Sequence, residues 1–288
     1  MQVLVNGRPL PEAEASIPID DRGFLFGDAL FESMRAYGGV VFRLDRHLER
    51  LAQGAAIAGF EAMPGAALLA REVATVLAVN ELRDARVRLT MTRGRGRPGD
   101  YVGVAGPPNR VVQATAFTGP DPARQRDGVA VSVAARRAVP AASLDPSIKT
   151  TSRMVSVLAR REAAAVGAFE AILLDLDDRV TEGTASNLFV VERGALVTPP
   201  VGGTALPGVT RAAVMEAAVE AGIAAGEAPI TLGRLLGADE VFLTNSSWEV
   251  MPVVRVDAAV VGEGRPGPVS GRLLERYRAL VRRECAGG

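Results

Sequence analysis

A two-domain α+β fold is what the chain predicts, and three observations carry that reading. The first 117 residues alternate short strands with two amphipathic helices. Residues 118–128 (Thr-Gly-Pro-Asp-Pro-Ala-Arg-Gln-Arg-Asp-Gly) have the Pro, Gly and charge content of an interdomain linker. Residues 129–288 then hold many strands with few helices to cover them, the pattern of a barrel-like β domain.

Gln2 to Val5 followed by Asn6-Gly7 reads as a strand entering a hairpin, because Asn-Gly accepts the left-handed backbone of a two-residue turn. Ile17 to Gly23 is loop, and Ala29 to Tyr37 is strand as far as the Gly38-Gly39 turn. Asp45 looks like the N-cap of a helix on which Leu48, Leu51, Ala55 and Ala58 share a face. Pro64 at N1 opens a second helix that reaches Leu77. Val87, Leu89 and Met91 alternate with Arg88 and Thr90, a half-buried strand that ends at the Arg/Gly loop 93–100. Val111 to Phe117 is the last strand of the first half. In the second half, strands are expected at 129–134, 170–175, 179–182, 187–192, 195–198 and 240–244. Helices are expected from Thr151 to Val166, from Val209, after Thr231 and over 269–284.

Composition excludes several classes of function. Net charge is zero, so electrostatics favours neither nucleic acid nor an anionic membrane. One cysteine, Cys285, and one histidine, His47, supply neither a disulfide framework nor a metal site, and no metal is expected. No basic-then-apolar leader and no long apolar run is visible, so a cytoplasmic location is the expectation.

The basic residues are thirty-two arginines and one lysine, Lys149, in Ser147-Ile148-Lys149-Thr150-Thr151. By itself a lone lysine is a leftover of a skewed composition. Its chemistry nevertheless differs from that of arginine, whose guanidinium does not lose its proton, whereas an amine can become a nucleophile toward a carbonyl. Four further stretches could carry chemistry, and each also has a plain structural reading. Leu206-Pro207-Gly208-Val209-Thr210-Arg211 is a Gly turn feeding a helix, whose N-terminal N–H groups suit a phosphate. Thr244-Asn245-Ser246-Ser247 sets hydroxyls and amides at a strand's end. Thr181-Glu182-Gly183-Thr184-Ala185-Ser186-Asn187 places a carboxylate among small residues, where it needs a partner such as a protonated ring nitrogen. His47-Leu48-Glu49-Arg50 offers a histidine suited to packing and an arginine that is either solvated or a phosphate clamp. An amine, phosphate donors and a carboxylate for a pyridinium nitrogen are together the demands of pyridoxal 5'-phosphate.

With these residues the sequence resembles the class IV, or fold type IV, pyridoxal-phosphate-dependent aminotransferases. That family includes branched-chain and D-amino acid aminotransferases, (R)-amine transaminases and 4-amino-4-deoxychorismate lyase. The most specific blocks are Val180 to Phe189, Leu206 to Arg211 and Ala238 to Ser246, and the similarity runs from Asn6-Gly7 to Gly267-Pro268-Val269. The resemblance implies a small N-terminal α+β domain, a larger C-terminal pseudo-barrel domain carrying the cofactor lysine, and a homodimer. It implies that Lys149 forms the Schiff base and moves the proton, and that Glu182 pairs with the pyridine nitrogen. Arg50, the backbone of Val209 and Thr210, and Ser246 would hold the phosphate, while Leu206 packs on the ring. Phe31, Ser33, Arg93, Ser247 and Trp248 lie where the family builds its substrate pocket, and Arg93, Arg95 and Arg97 are alternative carboxylate ligands.

Within the family, Phe31-Glu32, Arg35-Ala36-Tyr37 and Glu249-Val250 resemble the transaminases, while Thr244-Asn245-Ser246 and Ser33 resemble the lyases. Phe31 stands where D-amino acid enzymes carry a tyrosine. The expected function is therefore transfer of an amino group from an amino acid, branched-chain or similar, to a 2-oxo acid. The alternative is expulsion of pyruvate from 4-amino-4-deoxychorismate, with D-amino acid or (R)-amine transamination as lesser possibilities.

Overall fold

The structure is a computed structural model describing residues 1–203 and 205–286, and it falls into two compact units. Unit 1 comprises Met1–Thr118 with Ile148–Ser152 and the residues from Glu284; unit 2 comprises Gly119–Ser147 and Arg153–Arg283.

Unit 1 opens with β1 (Gln2–Val5) and β2 (Arg8–Pro11), joined by Asn6 and Gly7 at φ 53° and 82°. These are the two left-handed residues of a hairpin turn that matches strand twist. A short α1 (Arg22–Phe26) is capped by Asp21, whose side chain accepts from Gly23 N at 2.7 Å. Then follow β3 (Ala29–Tyr37), β4 (Val40–Val41), α2 (Leu44–Ile57), α3 (Ala66–Val79), β5 (Ala85–Thr92) and β6 (Arg110–Ala116). The six strands pair antiparallel in the order β2-β1-β6-β5-β3-β4. One sheet face and the two long helices enclose a core of Leu30, Met34, Leu48, Leu51, Val73, Val76, Val87, Leu89 and Met91. Strand side chains alternate, so Phe31, Ser33, Arg35, Arg86 and Arg88 belong to the opposite face.

Two helix starts in unit 1 differ from expectation. α2 begins at Leu44 behind Arg43, which is itself left-handed (φ 53°), so Asp45 lies inside the first turn rather than capping it. α3 begins after Gly65, so Pro64 precedes the helix.

Unit 2 contains α4 (Pro122–Asp127), β7 (Val129–Arg137), α5 (Met154–Ala165), β8 (Glu170–Leu174), β9 (Arg179–Gly183), β10 (Asn187–Glu192) and β11 (Ala195–Thr198). It continues with α6 (Val209–Glu220), β12 (Ala225–Glu227), β13 (Ile230–Thr231), α7 (Leu232–Leu236), β14 (Glu240–Asn245), β15 (Glu249–Val256), β16 (Ala259–Val260) and α8 (Pro268–Cys285). The sheet order is β12-β11-β10-β14-β15-β7-β8-β9-β13, with β16 on β15. β8 is buried on both faces. Ile172 and Leu174 join the main core with Leu188, Val190, Leu243 and Val253, while Ala171 and Leu173 pack with Ala159 and Ala163 of α5. Phe189 and Phe242 are register partners on β10 and β14, stacked at 5.0 Å.

Two expectations about domain organisation need correction. Residues 118–128 are not only linker, because Asp121 accepts from Ala123 N at 2.9 Å and caps α4 with Pro122 at its start. Lys149 does not group with the C-terminal half. Phe31 N donates to Lys149 O and Thr151 N to Ala29 O, both at 2.9 Å, and Leu30 bridges Thr150, so Ile148–Ser152 lies along β3 in unit 1.

Candidate active site

In unit 1, Lys149 is half-buried, its backbone fixed on β3 by the bonds just described. Its Nζ stands 4.7 Å from the centroid of the Phe31 ring, and the guanidinium carbon of Arg88 stands 4.0 Å from the same centroid. Arg88 Nε also donates to Thr90 Oγ1 at 3.1 Å. Ser33 is the register partner of Arg88. An amine and a guanidinium are thus mounted on one aromatic ring, an arrangement favourable to both cations.

Beneath this lies a buried charge cluster. Arg50 Nε and Nη2 donate to the two oxygens of Glu32 at 2.8 and 2.6 Å, and His47 Nδ1 lies 2.7 Å from Glu32 Oε2. Burial opposes the charge on Glu32, but the Arg50 guanidinium and the His47 hydrogen bond outweigh it and hold the carboxyl at about 2 instead of 4.5. Burial pushes His47 below its usual 6.5 despite Glu32, and the charges of Arg50 and Lys149 push the same way. Both groups titrate lower in the folded chain than in the unfolded one. Their stabilisation is therefore complete above about pH 6.5 and is lost on acidification, the Glu32 share fading from about 4.5 toward about 2. For Glu32 it is on the order of 3 kcal/mol at neutral pH. Expected result: Glu32→Gln lowers Tm at pH 7 and flattens its dependence between pH 5 and 3, measured by circular dichroism; an unchanged pH slope would refute this.

The three arginines of the 93–97 loop differ in their commitments. Arg93 donates through Nε to Asp28 at 2.8 Å and through its other nitrogens to the carbonyls of Gly59 and Ala58 at 2.6 and 2.7 Å. It braces the loop. Arg95 is exposed and fork-bonded to Asp20. Arg97 is exposed near Asp100.

In unit 2, Glu182 Oε2 accepts from Leu206 N at 3.0 Å and from Asn187 Nδ2 at 3.4 Å, while Asn187 Nδ2 also donates to Leu206 O at 2.8 Å. Leu206-Pro207 leads to Gly208, the N-cap of α6, which has no side-chain cap on its first turn at Val209 and Thr210. A Cβ on Gly208 would lie 1.9 Å from Asn187 Oδ1, so only glycine lets the turn approach this closely. Ser246, Ser247 and Trp248 form the turn closed by the Asn245–Glu249 pair. Asn245 Oδ1 accepts from Ser247 N and Trp248 N at 2.9 and 2.7 Å, and Trp248 packs on Phe169 at 4.7 Å. Thr244 Oγ1 is buried without a hydrogen-bond partner.

The two units hold different kinds of group. Unit 1 carries the amine and a cation suited to a carboxylate; unit 2 carries a fixed carboxylate, an uncapped helix N-terminus and an unsatisfied hydroxyl. The sequence pattern of Amino-transferase class IV matches residues 29–256. The chain belongs to the class IV aminotransferases.

Among relatives of this class IV aminotransferase, a Methanocaldococcus jannaschii protein assigned as a branched-chain-amino-acid aminotransferase is 38% identical over 97% of this chain and 96% of its own. D-alanine aminotransferase of Bacillus licheniformis is 36% identical over 99% of both chains. Branched-chain amino acid aminotransferase of Escherichia coli superposes with TM-score 0.92 at 29% identity, over 97% of this chain and 94% of that one. A second branched-chain amino acid aminotransferase, complexed with N-(5'-phosphopyridoxyl)-L-glutamate, gives 0.91 at 29% identity, over 99% and 94%. 4-Amino-4-deoxychorismate lyase of Pseudomonas aeruginosa gives 0.84 at 30% identity, over 96% and 98%. The fold is thus that of the fold type IV enzymes, which use pyridoxal phosphate.

Arg88 does not stand out in the sequence, and neither does the bonding of Glu32 to His47 and Arg50. Alternation on β5 puts Arg88 on the polar face, but its neighbour Phe31 follows only from the β3–β5 register. Among the described residues, no helix is long and apolar enough to cross a membrane.

Proposed function

We propose that this class IV aminotransferase is an amino-acid transaminase, moving an amino group from an amino acid to a 2-oxo acid on pyridoxal phosphate. The observation that carries this is the pairing of Lys149 Nζ and Arg88 on the Phe31 ring. A permanent guanidinium beside the amine suits a substrate that bears a carboxylate next to its reacting carbon. The relatives' names, branched-chain and D-alanine aminotransferase, support the amino-acid class.

The cofactor, when bound, supplies a carbonyl and a conjugated ring that accepts the electrons of a breaking Cα–H bond. Lys149 Nζ anchors that carbonyl and then takes and returns the Cα proton. Glu182 keeps the ring nitrogen protonated, and its fixed Oε2 means no reorganisation is needed. The uncapped start of α6, Thr210 and Ser246 receive the phosphate, with Arg50 held by Glu32 as a further cation. Leu206 and the Ser247–Trp248 turn bound the space around ring and substrate, and we assign the working unit as a homodimer. Asn245 is committed to the backbone of its own turn and to Ala185 O, so it holds the turn that carries Ser246, Ser247 and Trp248.

The test is a spectrophotometric half-reaction with L- and D-amino acids, followed by return with 2-oxoglutarate or pyruvate. A spectral change and 2-oxo acid release are expected. No response to any amino donor, together with pyruvate release from 4-amino-4-deoxychorismate, would establish the lyase instead. Arg88→Gln should raise KM for the amino donor about tenfold or more and change kcat less, since one charged hydrogen bond is removed. An unchanged KM would remove Arg88 from the substrate site.

A further inference from the structure

A buried carboxylate outside the set above organises the turn between β9 and β10. Glu170, at the start of β8, is 0% exposed. Its Oε1 accepts from Thr184 Oγ1, Arg160 Nη1 and Ala171 N at 2.5, 2.6 and 2.8 Å. Its Oε2 accepts from Ala185 N at 3.2 Å and Ser186 Oγ at 3.4 Å. Every one of these groups donates, which an ionised carboxylate satisfies and a neutral amide does not. Three of the donors are the consecutive residues Thr184, Ala185 and Ser186. The same turn is held from two other directions, by Arg153 donating to Thr184 O and by Asn245 Nδ2 donating to Ala185 O. Its two ends are the residues that matter for the ring nitrogen. Glu182-Gly183 enters the turn, and Asn187 leaves it carrying both Glu182 Oε2 and Leu206 O. Gly183 packs closely on the same cluster, because a Cβ there would lie 2.3 Å from Ser186 Oγ and 3.1 Å from Glu170 Cγ.

We propose that Glu170 is a positioning residue for the reaction: by gathering the Thr184–Ser186 turn it fixes the separation of Glu182 and Asn187, and so the aim of the Glu182 carboxylate. The inference rests on the reading of Glu182 as partner of the ring nitrogen. Around a carboxylate that is itself fully buried, such a network is rigid while fully satisfied and costly when one acceptor is lost. A misplacement near 1 Å at a reacting group can cost about a hundredfold in rate.

The experiment compares holoenzymes of Glu170→Gln, Glu182→Gln, the double variant, and Glu240→Gln as control. Glu240 is also a buried carboxylate of unit 2, but it accepts from Val269 N and Ser270 N at the start of α8. At full cofactor occupancy, Glu170→Gln should lower kcat about tenfold or more. It should move KM little and shift the cofactor absorption band in the direction seen for Glu182→Gln. The double variant should be no slower than Glu182→Gln alone, because both act through one group. Glu240→Gln should lower Tm and leave band and kcat in place. The proposal is overturned if Glu170→Gln behaves like the control, or if its loss multiplies with that of Glu182→Gln. If Glu182→Gln itself moves neither band nor kcat, the reading of Glu182 fails, and an effect of Glu170→Gln on them then overturns the coupling as well. Should Glu170→Gln not fold, Thr184→Val removes one donor and is read identically: a shifted band with lower kcat supports the proposal, and an unchanged band overturns it.

Discussion

Replacing Lys149 by arginine is expected to lower turnover at least a hundredfold while keeping the positive charge. A positioned general base contributes about 10²- to 10⁴-fold, and a guanidinium can neither accept the Cα proton nor attack a carbonyl. The structure sharpens the expectation. Lys149 is held on β3 at its own carbonyl by Phe31 N, and its Nζ rests over the Phe31 ring, so no other amine is mounted there. Because the chain has one lysine, the covalent step has a direct readout. Borohydride treatment of the holoenzyme should attach the cofactor irreversibly to a single peptide containing Lys149, and Lys149→Ala should show no attachment. Attachment elsewhere, or more than a tenth of the turnover surviving in Lys149→Arg, would displace Lys149 from its assigned role.

The second large effect is expected for Glu182→Gln. The amide oxygen can still accept from Leu206 N, as Oε2 does at 3.0 Å, so the Leu206–Gly208 turn should survive. What disappears is the negative charge. A neutral amide cannot favour a protonated ring nitrogen, and the ring becomes a poorer acceptor for the electrons released at Cα. Turnover should fall more than tenfold, over about 1.4 kcal/mol of barrier, while cofactor affinity falls less. Equilibrium dialysis and steady-state rates separate the two quantities. A loss below tenfold would mean that the ring nitrogen has a different partner.

The parts of this site that could be read from sequence are those with local causes. Lys149 stands out because composition removes every competing amine. The helix start at Val209 follows from a Gly turn, and Gly208 proves to have no room for a side chain beside Asn187. What could not be read depends on register between distant segments. Arg88 meets Phe31 only because β5 pairs β3 in one alignment, and a shift of one residue would send it into the core. The placement of Ile148–Ser152 with unit 1 has the same origin, since nothing near Lys149 in sequence announces a partner at Ala29. The helix within 118–128 is hidden by its surroundings. Asp121-Pro122 is a good helix start, but the Pro and Gly on either side carry the signal of a linker.

The attachment of Ile148–Ser152 to β3 also bears on the order in which the protein is made. A chain emerging from the ribosome has all six strands of the first sheet by Ala116, yet the segment that hydrogen-bonds to Ala29 and Phe31 follows some thirty residues later, after β7. With the sheet in place, the loop to be closed runs only from β6 to Ile148, and closing it costs on the order of 3 kcal/mol in chain entropy. Contacts so far apart in sequence tend to form late. All the strands of the N-terminal sheet are therefore synthesised before the segment that carries the reactive amine.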